Sequence, residues 1–473
     1  MTIYNKLYIG GRWVSAESQQ TIDVVNPANG DLVASVPAAG EKEVDAAVSA
    51  AKQAFPAWSA TSASERASVI HKICDVMEAR KSELNDAIVS TMGCPVAFVD
   101  DIQVQGAIDS LRSFAALAPQ VEQQTQHDTF ITVHEAIGVC VLINPWNYPL
   151  SQLVGKLGPA LAAGCTVVLK PAEQTPLQDL ILADIVHECD VPAGVVNVVT
   201  GIGSDIGHAL CSHPSVDMVS FTGSTQAGIK VAQAAAPTVK RVCQELGGKS
   251  PYIIAPGADL EAAVKYGVED IMINSGQTCS ALTRMLVPKA DLPEIEQLAI
   301  ARANEWLPGD PQHPDTMMGP LSSKTQQGRV LSYIETGISE GATLLCGGTS
   351  LPEALAKGAY VMPTIFSNVT PDMAVAREEI FGPVLCIMPY ETLDDAIAMA
   401  NDTVYGLSSA VYAKSKEEAL SIAMKLKAGQ CLIQGAYFNT DAPFGGYKQS
   451  GNGREWGAEG LHEYTETKAI IVQ

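Results

Sequence analysis

The chain has 473 residues, of which 47% are hydrophobic and 17% are charged, and its formal net charge is −22. This length predicts two or three domains, and the apolar content is typical of a folded globular protein. We expect no nucleic-acid partner, because such binding needs basic surface, and no membrane span, because no apolar run approaches about 18 residues.

The first third of the chain mixes short strands with helices. Residues 1–6 lack the basic and then apolar pattern of a signal peptide, so we expect a cytoplasmic location. The sequence then predicts two strands, at 7–9 and 22–25, and two helices, at 43–55 and 67–92. One alternating, half-exposed strand follows at 129–135.

From residue 138 onward, buried strands alternate with helices. Continuous apolar runs predict strands at 138–144, 163–170, 195–200 and 218–221. Helical segments lie between them at 151–162, 176–187 and 205–211. This alternation is typical of βαβ units around a parallel sheet, in which ligands bind at the carboxyl ends of the strands.

A second α/β block begins near residue 251. A helix at 258–274, a strand at 284–287 and a helix at 293–305 open this block. The last segment, 462–473, predicts a terminal strand.

The eleven cysteines do not form a disulfide or zinc pattern. None is part of a C-x-x-C pair, so we expect neither a disulfide framework nor a metal site. Most of them lie in apolar contexts, where a cysteine is usually a small buried residue.

Cys279 differs from the other cysteines because of its polar neighbours. It follows Asn274, Gln277 and Thr278, and Glu245 precedes it in a Glu-Leu-Gly-Gly-Lys segment. A thiol with a free pKa of about 8.5 is a few per cent thiolate at neutral pH, so a nearby carboxylate base would activate it. The alternative for Glu245 is a residue that ends a helix before a glycine cap.

Two further segments carry polar residues at predicted strand ends. Asn147 lies between Pro145 and Pro149, and it is either an amide donor or a turn residue. Lys170 follows a buried strand and Glu173 comes three residues later, which also suits a solvated lysine and a helix-start glutamate.

Two glycine-containing turns connect strands to helices. The first has the spacing Gly201-x-Gly203-x-x-x-Gly207, which differs from the Rossmann pattern and is as typical of a tight turn as of a nucleotide site. The second contains Gly223 and Ser224, whose backbone amides and hydroxyl at a helix N-terminus suit a phosphate group.

Together these motifs resemble the aldehyde dehydrogenase superfamily, and matching segments run from 24–27 to 443–451. The resemblance implies an α/β fold with two Rossmann-like parallel α/β domains and a small β oligomerisation arm. It assigns an NAD-binding domain to 1–120 and 136–247, a catalytic domain to 248–450, and the arm to 121–135 and 451–473. A homodimer or homotetramer is the implied assembly.

The resemblance also implies that the cofactor is NAD. Lys170 would bond the adenosine ribose, and the charge of Glu173 would repel the 2′-phosphate of NADP. Glu379 would bind the nicotinamide ribose, with Phe381 beside the nicotinamide. The implied cofactor-binding residues are Asn144, Pro145, Trp146, Lys170, Glu173, Gly203, Gly207, Gly223, Ser224, Leu246, Glu379 and Phe381.

The implied reaction oxidises a small aldehyde to a carboxylic acid. Cys279 attacks the aldehyde to give a thiohemiacetal, whose oxyanion is met by Asn147 and the Cys279 N–H. Loss of hydride leaves a thioester, and Glu245 activates the water that hydrolyses it. Lys156 and Glu455 match a proton path behind Glu245.

The substrate tunnel departs from family habit. Gly155 replaces a bulky aromatic residue of some members, which predicts a wider tunnel. Residues 435–441 are expected at its mouth, and Tyr148 and Phe438 suggest an aromatic lining. No arginine in a recognisable tunnel position indicates a carboxylate-bearing aldehyde.

Three other functions are open on the sequence. A relative that passes the acyl group to coenzyme A tends to lack a glutamate at the place of Glu245. A cysteine-dependent esterase or hydrolase would need a histidine partner, and none of the eight histidines stands in a suitable motif. An inactive relative would not need Asn147, Lys170 and Cys279 together.

Overall fold

The computed structural model describes residues 2–472, and these form four β-sheets. Two large, mostly parallel sheets carry helices on both faces, so the predicted α/β class is confirmed. Gln473, the last residue of the predicted terminal strand, and Met1 lie outside the described residues.

The first large sheet has eight strands, and its five central strands are parallel. In spatial order the strands are Gly451–Asn452, Arg241–Glu245, Met218–Thr222, Val139–Ile143, Thr166–Lys170, Val196–Val198, Leu7–Ile9 and Arg12–Val14. The four apolar runs that predict strands all lie in its centre. Because these strands are buried on both faces, their sequence is continuously apolar.

The second large sheet has seven strands, which are parallel except at one edge. In spatial order they are Thr343–Cys346, Thr364–Ser367, Val384–Tyr390, Arg284–Pro288, Pro251–Ile254, Ala410–Tyr412 and Leu432–Ile433. The predicted domain limit at 247/248 falls between the last parallel strand of the first sheet and the first strand of this one. The domain limits themselves stay a prediction.

Helices cover both sheets and connect their strands. The α-helices are Glu41–Ser59, Ala63–Ala79, Lys81–Met92, Val96–Phe98, Gly106–Leu117, Pro149–Ala163, Leu177–Glu188, Gly203–Ser212, Thr225–Ala235, Leu260–Met272, Leu292–Ala303, Lys324–Ser339, Ala374–Arg377, Leu393–Asn401, Lys416–Ala423 and Gly457–His462. A π-helical turn at Val99–Gln105 and short 3-10 turns at Ala118–Glu122, Ala236–Thr238, Ile273–Gly276, Lys289–Asp291, Glu353–Leu355 and Lys448–Ser450 complete the helical elements.

Two predicted helices differ from the structure. The stretch 67–92 forms two helices, because the backbone leaves helical geometry at Arg80 (φ −105°, ψ 17°). The first of them begins earlier than predicted, at a capping box between Ser62 and Glu65. The predicted helix at 258–274 ends at Met272, and a tight turn follows it.

A three-stranded antiparallel sheet forms the small arm. It consists of Thr465–Ile471, Phe130–Ala136 and Thr125–Gln126 in that order. The terminal strand and the alternating strand therefore pair with each other. Arg241 connects the arm to the first sheet by donating to the carbonyls of Glu463 at 2.6 Å and Thr465 at 2.7 Å.

The remaining three-stranded sheet contains Thr2–Ile3, Leu32–Pro37 and Thr21–Val25. Gly451–Asn452, which the sequence assigned to the arm, pairs with Arg241–Glu245 at the edge of the first large sheet. No helix within residues 2–472 combines the length and the hydropathy that a membrane crossing requires.

Candidate active site

Cys279 lies on a tight loop between the two large sheets. The helix Leu260–Met272 ends in a turn in which Asn274 and Ser275 have left-handed backbones, with φ of 54° and 55°. Gly248, beyond the end of the first sheet, touches this loop so closely that a Cβ there would lie 2.3 Å from the Cys279 carbonyl oxygen. The absence of a side chain at Gly248 thus lets the Glu245 segment approach the thiol.

The thiol of Cys279 is held in its neutral form by its surroundings. Burial raises the pKa of Cys279, and the negative charges of Glu245, Glu379 and Glu455 raise it further. A proton acceptor beside the thiol is therefore needed for nucleophilic attack.

Glu245 is a buried carboxylate whose charge acts on this thiol. It ends the strand Arg241–Glu245, its side chain is buried, and neither carboxylate oxygen has a hydrogen-bond partner. Burial raises the pKa of Glu245 well above its usual value, and the Glu455 charge adds to this, whereas Lys156 and Arg454 lower it. An unpaired, buried carboxylate with a raised pKa is suited to general-base work near neutral pH. The glutamate does not end a helix, so that alternative is wrong.

Lys156 and Glu455 form a buried ion pair behind Glu245. Lys156 Nζ lies 2.7 Å from Glu455 Oε1 and donates to Thr222 Oγ1 at 2.6 Å. It also donates to the side-chain oxygen of Gln152 at 3.3 Å. The structure thus brings together the two residues that the sequence placed on a proton path, and it adds Thr222 and Gln152 to them.

Asn147 is fixed beside the Cys279 loop. Its Nδ2 donates to the Gln277 carbonyl at 2.9 Å, and its own carbonyl accepts from Asn274 Nδ2 at 2.9 Å and Gln103 Nε2 at 3.3 Å. One N–H of the amide is therefore committed to the loop and the second remains for an oxyanion. Sequence reasoning missed Gln103, because no local pattern in the π-helical turn marks it.

A cavity of about 930 Å³ lies at the carboxyl ends of the first sheet's strands. Nine of the sequence-predicted cofactor residues line it, namely Asn144, Pro145, Trp146, Lys170, Glu173, Gly203, Gly207, Gly223 and Ser224. Leu246, Glu379 and Phe381 are not in its wall. A T-shaped contact of Phe381 with Trp146, at 5.3 Å between ring centroids, connects Phe381 to the cavity wall.

The floor of the cavity carries an ordered charge pair. Lys170 Nζ lies 3.1 Å from Glu173 Oε1, and the Gly203 N–H donates to the same oxygen. Glu173 therefore keeps a fixed carboxylate at the cavity, and Lys170 is buried, so the alternative of a solvated lysine is wrong.

Asp179 is a buried carboxylate that sequence reasoning missed. It accepts hydrogen bonds from Asn144 Nδ2 at 3.0 Å and from Gln178 Nε2 at 2.6 Å. Burial raises the pKa of Asp179 to about 7, against the effect of these two donors. Asp179 lies in a helix and has no strand-end signal, so only the tertiary contact reveals it.

Two helix N-termini point into the same cavity, at Gly203–Ser212 and Thr225–Ala235. Ser224 caps the second helix by accepting from the Ala227 N–H at 3.3 Å. A Cβ at Gly223 would lie 2.6 Å from the Phe221 ring, so only glycine fits the turn. Helix N-termini favour phosphate groups, and the whole cavity fits a dinucleotide.

Comparison with known proteins assigns the chain to a family. The model of the aldehyde dehydrogenase family matches residues 13–470. The chain belongs to the aldehyde dehydrogenase family. Its sequence is 47% identical to the 3-succinoylsemialdehyde-pyridine dehydrogenase of a Pseudomonas species, over 100% of this chain and 99% of that protein.

Solved structures resemble this aldehyde dehydrogenase over its whole length. Aldehyde dehydrogenase C of Pseudomonas syringae, solved as a variant with NAD+ and octanal, has a TM-score of 0.97 at 48% identity, covering 99% of this chain and 96% of that one. The NAD+ complex of a Mycobacterium tuberculosis aldehyde dehydrogenase has a TM-score of 0.97 at 40% identity, covering 100% and 99%. The predicted family is confirmed.

On the opposite side of Cys279, a second cavity of about 960 Å³ opens beside Thr278 and Ser280 in this aldehyde dehydrogenase. Its wall includes the aromatic side chains of Phe98, Tyr148, Tyr266, Trp306, Tyr437 and Phe438. The Tyr148 hydroxyl lies 2.8 Å from Thr278 Oγ1, next to the thiol. The aromatic lining that Tyr148 and Phe438 suggest is thus present.

One expectation about this aldehyde dehydrogenase's tunnel is wrong, and one residue of its wall was not foreseen. The space beside Gly155 is not open, because a Cβ there would lie 3.0 Å from the Trp456 ring, which fills it. An arginine, Arg302, does line the cavity, but its guanidinium is paired with Glu269 and Glu305. The contacts Gly155–Trp456 and Arg302–Glu269 join residues that are distant in the sequence, so no local pattern predicts them.

Proposed function

We propose that this aldehyde dehydrogenase oxidises an aldehyde to a carboxylic acid with NAD, through a covalent intermediate on Cys279. One observation carries this proposal: a thiol, an anchored amide and an unpaired buried carboxylate meet at one point. Asn147 contacts the thiol loop through Gln277, and the Glu245 charge acts directly on the Cys279 thiol.

The chemistry that NAD supplies, when it is bound to the enzyme, is the acceptance of a hydride from the aldehyde carbon. The residues that would hold it are those of the cavity on the first sheet. The Gly223–Ser224 turn suits the pyrophosphate, and the fixed Glu173 carboxylate suits ribose hydroxyls. A carboxylate at that place opposes the 2′-phosphate of NADP, so we expect a preference for NAD.

Cys279 forms the new bond to the aldehyde carbon. The thiol loses its proton to a base, the sulfur attacks the carbonyl carbon, and the carbonyl electron pair moves to oxygen. Asn147 Nδ2 and the Cys279 N–H stabilise this oxyanion, and a preorganised donor contributes about 3–4 kcal/mol in such sites. The thiohemiacetal becomes a thioester once the hydride has left.

Glu245 completes the reaction by general-base catalysis. Its unpaired carboxylate takes a proton from water, the resulting hydroxide attacks the thioester carbon, and the bond to sulfur breaks. Cys279 leaves as thiolate and the product is the carboxylic acid. We propose that the proton on Glu245 leaves towards the Glu455–Lys156 pair, which continues to Thr222 in the wall of the cofactor cavity. This step needs a movement of the Glu245 side chain or a bridging water, because no hydrogen bond joins Glu245 to Glu455 in the structure.

The competing functions are not favoured. Transfer of the acyl group to coenzyme A does not need a buried, unpaired glutamate at Glu245. An esterase without hydride transfer would need a histidine base, whereas the charged groups that act on Cys279 are carboxylates. The relatives from Pseudomonas syringae and Mycobacterium tuberculosis were both solved with NAD+.

The relatives and the cavity indicate an extended or aromatic substrate. One relative acts on a semialdehyde that carries a pyridine ring, and another was solved with octanal. The cavity offers six aromatic rings and room for either shape. We therefore propose an aldehyde of this size, rather than a two-carbon one, as the substrate.

We propose that the enzyme assembles as a homodimer or homotetramer through its arm. Within the described residues, the strand Thr465–Ile471 is an edge, and Ile471 is 75% exposed. An apolar sheet edge is an association hazard unless another chain covers it. Light scattering of the intact chain and of a variant lacking 468–473 tests this, and a monodisperse, active monomer of the intact chain would contradict it.

We also propose a cytoplasmic location. The chain keeps eleven free thiols, one of them the nucleophile, and this is typical of a reducing compartment. Fractionation of cells that make the protein, followed by immunoblotting, tests the location.

A panel of aldehydes with NAD tests the proposed reaction, with NADH absorbance and carboxylic acid formation as readouts. Wild-type enzyme should form both in equal amounts. Cys279→Ala should bind NAD as tightly as wild type and form neither product. Cys140→Ala is the matched control, because Cys140 is fully buried in the first sheet and should retain turnover. Retained turnover in Cys279→Ala would remove the nucleophile from the mechanism.

A further inference from the structure

The wall of the substrate cavity carries more carboxylates than cations. Its carboxylates are Asp101, Asp109, Glu269 and Asp270, and its one arginine in the described lining is Arg302. Because Arg302 is already paired with Glu269 and Glu305, it has no free charge to offer to a substrate anion. Asp109 is paired with Arg112 at 3.6 Å, so among the described residues only Asp101 and Asp270 of the wall have no such cationic partner.

Asp270 is the less solvated of these two. It lies in the last turn of the helix Leu260–Met272, whose end leads directly into the Cys279 loop. Its Oδ2 accepts from the Leu282 N–H at 2.7 Å. Asp270 is half-buried, whereas Asp101 and Asp109 are exposed, so the field of Asp270 is the least screened by water.

The charge of Asp270 does not serve the fold. A negative charge in the last turn of a helix opposes the helix dipole, and partial burial of a carboxylate costs further free energy. Its hydrogen bond to Leu282 needs only an acceptor oxygen, which an asparagine would also provide. Because the charge of Asp270 lowers the stability of the fold at this place, we infer that it acts on molecules in the cavity.

The field of Asp270 reaches the aromatic wall. After burial, the Asp270 charge is the largest cause that raises the pKa of the Tyr266 hydroxyl. The same charge contributes to the raised pKa of Tyr148, which bonds Thr278 beside the nucleophile. A substrate group between these rings therefore lies within the field of a carboxylate.

We propose that Asp270 is a specificity-determining residue, whose carboxylate excludes aldehydes that bear a second, anionic group and favours those that bear a cation at the far end. This rests on the proposed function of the cavity as the substrate site. The substrate class is then an extended or aromatic aldehyde that is neutral or cationic.

Three para-substituted benzaldehydes of similar size test the proposal, carrying a methyl, a carboxylate or a trimethylammoniomethyl group. Their kcat/KM values are measured with NAD for wild type and for Asp270→Asn. We expect Asp270→Asn to raise the value for the anion and lower it for the cation by about tenfold each, the order of effect of one partly screened charge, and to leave the methyl compound nearly unchanged. Intrinsic reactivity cancels because each aldehyde is compared with itself.

Asp101→Asn is the matched control, since it removes an equal charge from the exposed part of the same wall and should change each value by less than about threefold. The proposal would be overturned if the ratio of kcat/KM for the anionic aldehyde to kcat/KM for the cationic one were the same in Asp270→Asn as in wild type. An equal change of this ratio in Asp101→Asn would also overturn it. Thermal melting checks that Asp270→Asn is folded.

Calorimetric binding of the three aldehydes to Cys279→Ala, with and without Asp270→Asn, separates this inference from the proposed reaction. If the binding ratio changes as expected but no aldehyde is oxidised by wild type, the proposed reaction fails and the role of Asp270 stands. If oxidation proceeds with no charge preference in either assay, the role of Asp270 fails alone.

Discussion

Asn147→Ala gives the sharpest test of the oxyanion site. The side-chain amide has two N–H groups, and one of them is committed to the Gln277 carbonyl at 2.9 Å. Only the other is free for the oxyanion, so the substitution removes a single donor. Loss of one such donor costs about 3–4 kcal/mol in the transition state, and we expect the rate of thiohemiacetal formation and kcat to fall by about 10²–10³-fold.

The same substitution should have a smaller effect on folding. It removes the bond to Gln277, which contributes about 1 kcal/mol to the free energy of unfolding. Single-turnover NADH formation measures the chemical step, and fluorescence quenching measures NAD affinity, which should stay within about twofold of wild type. Gln103→Leu is the control, because it removes a bond to the Asn147 backbone carbonyl and one to the Met92 sulfur but no oxyanion donor, and it should have a much smaller effect on the rate. A loss that appears wholly in NAD affinity, or a rate loss below tenfold, would refute the assignment.

Three further predictions concern the carboxylates. Glu245→Gln cannot take a proton from water, so rapid mixing should show a burst of NADH close to one per active site and then little turnover; an unchanged steady state would contradict the base role. Glu173→Gln should improve kcat/KM with NADP relative to NAD, because the charge that opposes the 2′-phosphate is lost; wild type that prefers NADP would exclude this role. The negative charge of Glu455 raises the pKa of Glu245, and the positive charge of Lys156 lowers it. Glu455→Gln should therefore lower the pKa of Glu245, so that the deacylation rate rises at a lower pH. Lys156→Met should raise this pKa, so that the deacylation rate rises at a higher pH. If the deacylation rate that follows the NADH burst has the same pH profile in both variants as in wild type, Glu455 and Lys156 do not act on Glu245.

Elements with a strong local signal were predictable from the sequence. The strands Val139–Ile143 and Thr166–Lys170 are continuously apolar because they lie in the centre of a sheet covered on both faces. The resemblance to aldehyde dehydrogenases gave the family and the fold class, and both are confirmed. The roles of individual site residues stay predictions, although Cys279, Asn147 and Glu245 do lie together.

What the sequence did not reveal depends on contacts between distant segments. Arg80 interrupts the helical stretch 67–92, although the spacing of apolar residues continues through it. Trp456 fills the space at Gly155, and Arg302 enters the tunnel wall already paired. Asp179 meets Asn144 only after folding. In each case the position of a side chain is decided by a partner that no local pattern specifies.

The segment 451–471 lies far along the chain from Cys279, yet the active site depends on it. It supplies an edge strand to the first sheet through Gly451–Asn452, the ion-pair partner Glu455, the ring of Trp456 and the arm strand Thr465–Ile471. A ribosome-bound chain therefore has its nucleophile long before it has the groups that surround Glu245. Because contacts of such large sequence separation form late, the surroundings of Cys279 should be completed only after the segment 451–471 has docked on the first sheet and the arm.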